Sequence, residues 1–294
     1  MSETTANPVP LFDAYAPQQI AVRVRDVGVA KAMAPVLTTL ALAVLAGAFI
    51  SLGALFYTVT MTDAAGGSAA PSGLTRLAGG VAFSLGLILV VVGGAELFTG
   101  NNLIAMAWAA GRLSSGQVLR NWAWVYAGNL LGALGTVALV LLAGVHQLGD
   151  GALGETAVRI AHAKVSLDPV QAVARGVLCN VLVCLAIWLC MGARSVTDKI
   201  LAIVFPISAF VACGFEHSVA NMYFLPVGVV LASSGATPIV LTDVAANLIL
   251  VTAGNILGGT VLVALVYWFV YLRGEGASDR AGGKSATGES RESR

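Results

Sequence analysis

The sequence predicts an all-α membrane protein with six transmembrane spans, arranged as two repeats of three spans. Of its 294 residues, 57% are hydrophobic and only 11% are charged, whereas about 25% of the residues in a soluble domain are charged. The mean hydropathy is +0.86, and a chain of this length cannot bury so much apolar surface in a soluble fold. Two polar motifs also recur once each along the chain, which predicts the repeat.

Long uncharged segments alternate with short polar connections, as expected for a bundle of membrane helices. A straight span needs about 20 residues, so four of the segments fit one tilted helix each. The two longest, 77–110 and 200–233, carry polar residues near their middles. We predict that each of these two is a single broken helix. The six segments are 34–59, 77–110, 118–145, 170–191, 200–233 and 244–272.

The flanking segments differ in composition from the predicted six-span domain, 34–272. Residues 1–33 contain no apolar signal segment and are expected to form a cytoplasmic stretch with an amphipathic helix, because Ile20, Val24 and Val27 recur at helical spacing among basic residues. The alternative is a disordered terminus. Residues 273–294 are rich in Gly, Ser and charge and are expected to be a disordered cytoplasmic tail.

Lysine and arginine are distributed unequally between the connections. With the N-terminus inside, the cytoplasmic side receives 12 of them and the other side receives 4. Cytoplasmic connections of membrane proteins carry this excess. The sequence therefore predicts that both termini are cytoplasmic, in a bacterial-type inner (plasma) membrane.

The recurring motifs predict how the two halves are related. The first motif and its copy are separated by 120 positions, and the second motif and its copy by 126. Because each half has three spans, the second half must cross the membrane in the opposite sense, as in inverted-repeat transporters. The motifs are Gly94-Ala95-Glu96 with Asn101, Gly214-Phe215-Glu216 with Asn221, Ala127–Gly132 and Ala253–Gly258.

Polar residues near the predicted breaks are the candidate functional groups. Glu96 and Glu216 are expected to be structural caps that accept hydrogen bonds from N–H groups freed at the next helix start. His217 is the only histidine within a predicted span, and an ionisable residue there indicates function unless it is a neutral core histidine. Lys164 can attract anions, or be a solvated loop charge, and Asn180 can hydrogen-bond to His217 or to a substrate.

Three motifs resemble the signatures of the formate/nitrite transporter family: Gly94–Gly100, Gly176–Ala186 and Gly214–Met222. The resemblance runs from Lys31 to Arg273. It implies an aquaporin-like protomer in the lipid bilayer, a homopentamer with one pore in each protomer, and passage of a small monovalent anion. It implies no enzymatic activity, no cofactor or metal, and no nucleic-acid partner.

The resemblance also implies which residues form the pore. Thr99 is expected to point towards a central His217, with Asn180 and Lys164 on the permeation path. Two apolar constrictions are expected to flank the histidine. The outer constriction contains Phe83 and Phe210, and the inner one contains Leu87, Leu97 and Phe98.

The substrate is predicted from two stretches that differ in their resemblance. Phe205–Met222 resembles the formate branch of the family, whereas Glu96–Asn101 is closer to the nitrite and hydrosulfide branches. We expect formate, with nitrite or hydrosulfide as the alternative and a neutral-solute channel as the alternative of another class. Burial is expected to keep His217 neutral until an anion arrives, receives its proton and crosses the constrictions as a neutral acid.

Overall fold

The computed structural model describes residues 13–63, 72–232 and 238–274, and the regular structure in these ranges is helical. A 3₁₀ turn at Gly100–Ile104 precedes α4, and a π-helical stretch at Leu257–Leu265 joins α10 to α11. The α-helices are α1 Pro17–Met33, α2 Val36–Asp63, α3 Gly73–Gly93, α4 Ala105–Ala109, α5 Ser115–Leu142, α6 Ala152–Val165, α7 Pro169–Gly192, α8 Val196–Ala212, α9 Ser218–Ala232, α10 Leu241–Ile256 and α11 Val266–Tyr271.

Five helical elements in the described part of the chain are long and apolar enough to cross a membrane. They are α2, α3, α5, α7 and the continuous stretch Leu241–Tyr271. The predicted segment 200–233 is divided between α8 and α9, and α9 is apolar but only 15 residues long. A helix of that length falls short of the roughly 20 residues of a full span.

The starts of the long helices follow from their capping residues. Ser114 and Ser195 each accept a hydrogen bond from the N–H group three residues later, in capping boxes at the starts of α5 and α8. Asp168 accepts from the N–H of Val170 at the start of α7, where Pro169 occupies the first helical position. These polar residues separate one apolar segment from the next.

The helix α1 lies where the amphipathic periodicity predicts a helix, and its apolar face packs on protein. Ile20, Val24 and Gly28 are buried, and α1 contacts the 3₁₀ turn, α4 and α7. Residues 1–12 and 275–294, which include most of the predicted disordered tail, lie outside the described residues.

The second recurring motif is a helix-packing motif. In the first half, α5 packs on α2 so closely that a Cβ atom at Gly132 would overlap the carbonyl oxygen of Val44. In the second half, a Cβ atom at Gly258 would overlap the carbonyl oxygen of Val177 on α7. Small residues allow membrane helices to approach in this way, so the two copies of the motif create the same kind of helix pair.

The chain leaves its helical path after α3 and again after α8. Gly94 has a φ of 81° and Gly214 a φ of 71°, a left-handed conformation that glycine adopts at low cost. The backbone is then not helical until Gly100 in the first half and Ser218 in the second. Both stretches fall near the middles of segments 77–110 and 200–233.

Candidate functional site

The non-helical stretch after α3 is held by the side chain of Asn129 on α5. Its Oδ1 accepts from the N–H of Phe98 at 2.9 Å, and its Nδ2 donates to the carbonyl oxygens of Ala43 at 2.8 Å and Glu96 at 2.9 Å. Asn129 is completely buried. One amide side chain thus satisfies polar main-chain groups that a helix interruption would otherwise leave unpaired.

Asn255 on α10 holds the second stretch with the same set of hydrogen bonds. Its Oδ1 accepts from the N–H of Ser218 at 2.9 Å, and its Nδ2 donates to the carbonyl oxygens of Gly176 at 2.8 Å and Glu216 at 2.9 Å. Asn129 and Asn255 are the asparagines of the second recurring motif. The motif therefore supplies the caps of both interruptions.

This finding corrects the expected role of the two glutamates. The Glu96 carboxylate forms an ion pair with Lys31 Nζ at 2.9 Å and accepts from Asn101 Nδ2 at 2.7 Å. Asn101 also donates to Asn121 Oδ1, and Asn121 donates back to the carbonyl oxygen of Lys31. The Glu96 carboxylate therefore binds an ammonium and an amide instead of N–H groups at the helix start. The N–H of Phe98 is not available to it, because that group donates to Asn129 Oδ1.

Glu216 lies in the equivalent network of the second half. Lys164 Nζ is 3.0 and 3.1 Å from the two carboxylate oxygens, and Asn221 Nδ2 donates to Oε2 at 2.7 Å. Asn221 also donates to Asn247 Oδ1, and Asn247 donates to the carbonyl oxygen of Lys164. Lys164 lies on α6 with 14% of its side chain exposed, so the alternative of a solvated loop charge is wrong.

Thr99 and His217 meet between these two networks. Thr99 Oγ1 is 2.9 Å from His217 Nε2, and both residues are buried. The N–H of Ala220 donates to His217 Nδ1 at 3.0 Å, which caps the first turn of α9. Because Nδ1 accepts, a neutral ring carries its proton on Nε2 and donates it to the Thr99 hydroxyl. The hydroxyl hydrogen of Thr99 is then available to another acceptor.

Asn180 positions Thr99 through the main chain. Its Nδ2 has two hydrogens and three acceptors within reach: the carbonyl oxygen of Thr99 at 3.2 Å, Asn102 Oδ1 at 2.9 Å and the carbonyl oxygen of Asn255 at 2.7 Å. Its Oδ1 is buried without a hydrogen-bond partner among the described residues. None of these contacts is the expected hydrogen bond to His217, and the alternative of a hydrogen bond from Asn180 to a substrate stays a prediction.

Two cavities lie near this pair: one is lined by Gly100, the residue that follows Thr99, and the other by His217. The first, here the α1 cavity, has a volume of about 220 Å³ and lies against Val90 and Val91 near the end of α3. The second, the α6 cavity, has a volume of about 180 Å³ and lies against Arg76 near the start of α3 and Phe83 at its middle. Since α3 has 21 residues, it is about 30 Å long, close to the thickness of the hydrocarbon core of a bilayer.

Each cavity is lined by one of the two charged networks. The α1 cavity contains Lys31, Glu96, Leu97 and Lys199, and the α6 cavity contains Lys164, Glu216, His217, Arg76 and Arg175.

The predicted constriction residues fall into two groups. Phe83 and Phe210 line the α6 cavity with ring centroids 5.7 Å apart, and the Phe210 ring stacks on His217 at 6.0 Å. Leu97 lines the α1 cavity. Leu87 and Phe98 are buried but line neither cavity, and the Phe98 ring packs edge-on against aromatic side chains of α5. Their assignment to the inner constriction stays a prediction.

Sequence reasoning did not assign chemistry to five residues of this site: Lys31, Asn121, Asn129, Asn247 and Asn255. The asparagines carried a signal, since Asn121 and Asn247 are separated by the same 126 positions as the second motif. Lys31 carried a weaker one, because its separation from Lys164 matches neither motif spacing. The ion pairs to Glu96 and Glu216, and the hydrogen bonds that Asn121 and Asn247 donate to the lysine carbonyl oxygens, show that the two lysines are equivalent.

The model of the family described as "Formate/nitrite transporter" matches residues 18–269. The chain belongs to this family. A formate channel of Escherichia coli K12, FocA, is 43% identical over 277 residues, which cover 89% of this chain and 96% of that protein. A probable formate transporter of Methanothermobacter thermautotrophicus is 41% identical over 257 residues, covering 83% and 92% of the two chains.

A solved "Pentameric formate channel with formate bound" superposes with a TM-score of 0.72 and 40% identity, covering 81% of this chain and 98% of that one. Membership in the formate/nitrite transporter family confirms the resemblance stated from the three motifs. These relatives are named as channels and transporters rather than enzymes, and the shared fold is that of a helical membrane protein.

Proposed function

We propose that this protein is a formate channel and that formate passes between the α1 and α6 cavities at the Thr99–His217 pair. The observation that carries this proposal is the buried contact of Thr99 with His217 close to two cavities. One cavity is lined by His217 and by Arg76 near the start of α3, and the other by Gly100 and by Val90 near the end of α3. The names of the FocA relative and of the solved pentameric channel support formate as the substrate. The pentameric relative also supports a homopentamer.

We further propose the six-span inverted repeat, with α3–α4 and α8–α9 as the broken helices. The support is the duplicated pattern of hydrogen bonds, in which Lys, Glu and two Asn side chains form one network on each half and a third Asn caps each interruption. In this arrangement the α1 cavity opens to the cytoplasm, where both termini lie, and the α6 cavity opens to the other side.

The site can lower the energy of an anion in two ways. An unaccompanied charge at the bilayer centre costs at least a few kcal/mol, and the aromatic rings of Phe83 and Phe210 offer it no hydrogen bonds. The Thr99 hydroxyl, which accepts from His217, can donate its own hydrogen to the anion. A donated hydrogen bond to a charged group is stronger than one between neutral groups.

Proton transfer is the second way, and we infer its order from the hydrogen bonds of His217. A nearby anion stabilises the protonated imidazole ring, so the ring takes up a proton at Nδ1 from the α6 cavity. The proton on Nε2 then passes through the Thr99 hydroxyl to formate, which crosses the apolar constrictions as formic acid. Because Nδ1 normally accepts from the N–H of Ala220, each transfer must interrupt the first turn of α9.

The variant His217→Asn tests the relay without removing the cap. Asparagine is a favoured N-cap residue, so its side chain can still accept from Ala220 while it lacks a transferable proton. In proteoliposomes, we expect proton-coupled formate flux to fall strongly and to lose its dependence on pH, while the oligomer stays intact. A wild-type pH profile in this variant would show that His217 is only a polar lining residue.

A substrate panel tests the identity of the anion with the unmodified protein. Flux of formate, nitrite, hydrosulfide, acetate and lactate is measured at two pH values, with glycerol as the neutral solute. We expect formate to permeate fastest. Faster flux of nitrite or hydrosulfide than of formate would assign the protein to another branch of the family. Glycerol flux without anion flux would show that it is a neutral-solute channel instead of an anion channel.

A further inference from the structure

One lysine in each cavity is paired with a carboxylate inside the protein. Lys31 lies 2.9 Å from Glu96 in the α1 cavity, and Lys164 lies 3.0 Å from Glu216 in the α6 cavity. Each pair has no net charge when both partners are ionised. The charge that attracts an anion into either cavity must therefore come from other side chains.

Each cavity has a further cation at the start of the helix that precedes the interruption of the other cavity. Arg76 is the fourth residue of α3 and lines the α6 cavity, and Lys199 is the fourth residue of α8 and lines the α1 cavity. Their N–H groups donate to the carbonyl oxygens of the capping residues Ser72 and Ser195, respectively. The two cations occupy equivalent positions, so they add one positive charge to each cavity.

Arg175 on α7 adds a further positive charge to the α6 cavity. Its main-chain carbonyl accepts from the N–H of Glu216 at 3.3 Å, and the carbonyl of Leu42 accepts from the N–H of Glu96 at 3.2 Å. These matching hydrogen bonds make Arg175 and Leu42 equivalent positions in the two halves. The α6 cavity thus contains a guanidinium group where the α1 half has an aliphatic side chain.

The guanidinium of Arg175 has capacity to bind a ligand. It is partly buried, lines the α6 cavity beside His217, and its Nη1 donates to the carbonyl oxygen of Gly214 at 3.3 Å. Among the ion pairs of residues 13–63, 72–232 and 238–274, none includes Arg175. Since a guanidinium carries five N–H donors in a fixed fork, donors remain for an anion, and the fork matches both oxygens of a carboxylate.

We propose that Arg175 forms an anion-binding site in the α6 cavity that has no counterpart in the α1 cavity. A small monovalent carboxylate binds the guanidinium there before it reaches Thr99 and His217. Entry from the α6 side then saturates at a lower concentration than entry from the α1 side. This inference rests on the proposed anion-channel function and adds a sidedness that the internal repeat alone would not produce.

Right-side-out and inverted membrane vesicles, prepared from the same cells, present opposite faces of the full-length protein. Initial rates of radiolabelled formate entry give the half-saturating concentration at each face. In the unmodified protein we expect the lower value at the face of the α6 cavity. Equal half-saturating concentrations at the two faces would overturn the inference and leave the proposed function intact. No formate entry at either face would refute both the inference and the proposed function.

Three variants then assign the difference to one side chain. Arg175→Leu introduces the residue type that the other half has at the equivalent position, Leu42. It should raise the half-saturating concentration about fivefold at the α6 face only. This factor corresponds to the loss of one attractive unit charge about 4 Å from the anion in water. Arg175→Lys should recover part of this loss, and Lys199→Leu should act at the α1 face only. Equal changes at both faces with Arg175→Leu would indicate a structural role and overturn the proposed site.

Discussion

The asparagine that caps the second interruption offers a quantitative test of the fold. In Asn255→Leu the number and branching of the side-chain heavy atoms are kept, but the N–H of Ser218 and the carbonyl oxygen of Glu216 each lose a partner. Asn255 is completely buried, so water cannot replace the amide. Each unsatisfied buried group costs about 1–3 kcal/mol, and we expect a loss of about 2–6 kcal/mol in the free energy of unfolding.

The measurement is reversible denaturant unfolding in detergent micelles, followed by tryptophan fluorescence. Asn129→Leu is the matched control, because the same groups at Phe98 and Glu96 lose their partners in the first half, and its loss should be of similar size. Asn255→Asp keeps an acceptor for the N–H of Ser218 but removes the two hydrogen bonds that Asn255 donates to the carbonyl oxygens of Gly176 and Glu216. Its loss of stability therefore measures the donated bonds without the capping bond. A loss below about 0.5 kcal/mol in both leucine variants would refute the assignment of these asparagines as the caps.

Three other predictions concern the ion pairs, the constriction and the topology. Glu96→Gln should lower stability by about 3 kcal/mol, since Lys31 is left without its carboxylate in a partly buried network; unfolding midpoints that match the unmodified protein would contradict this. Phe210→Ala should enlarge the α6 cavity beside His217 and increase acetate and lactate flux relative to formate, and an unchanged ratio would argue against a constriction at this ring. Single cysteines placed near the N-terminus and after Arg273 should react only with reagents on the cytoplasmic side, and labelling from the other side would contradict the proposed orientation.

Much of the fold follows from local composition. Uncharged runs of about 20 residues predict helices that cross a membrane, and α2, α3, α5 and α7 lie where those runs are. The recurring Glu and Asn residues predicted the two places where the chain leaves its helical path, near Gly94 and Gly214. Their position is readable because polar residues within an apolar run are costly unless they serve main-chain groups or a ligand.

The partners of those polar residues were not readable from the sequence. Glu96 was expected to bind N–H groups at the next helix start, and the structure pairs it with Lys31 on α1, which lies far along the chain. A local rule assigns a carboxylate to the nearest free donor. The nearest donor, the N–H of Phe98, had already been taken by Asn129 from another helix, and only the packing of α5 on α2 brings that amide there.

The sequence alone therefore determined that this is a helical membrane protein with two duplicated polar motifs, and it drew attention to His217 as the histidine within a predicted span, because composition and motif spacing are properties of the chain. The tertiary structure decided which nitrogen of His217 accepts from Ala220, which lysine neutralises which glutamate, and that Arg175 and Leu42 occupy equivalent positions. The reason is geometric. The two halves differ in the lengths of their connections, so equivalent residues cannot be matched by one constant spacing. Each of these contacts also forms between helices whose arrangement in space cannot be read from the sequence.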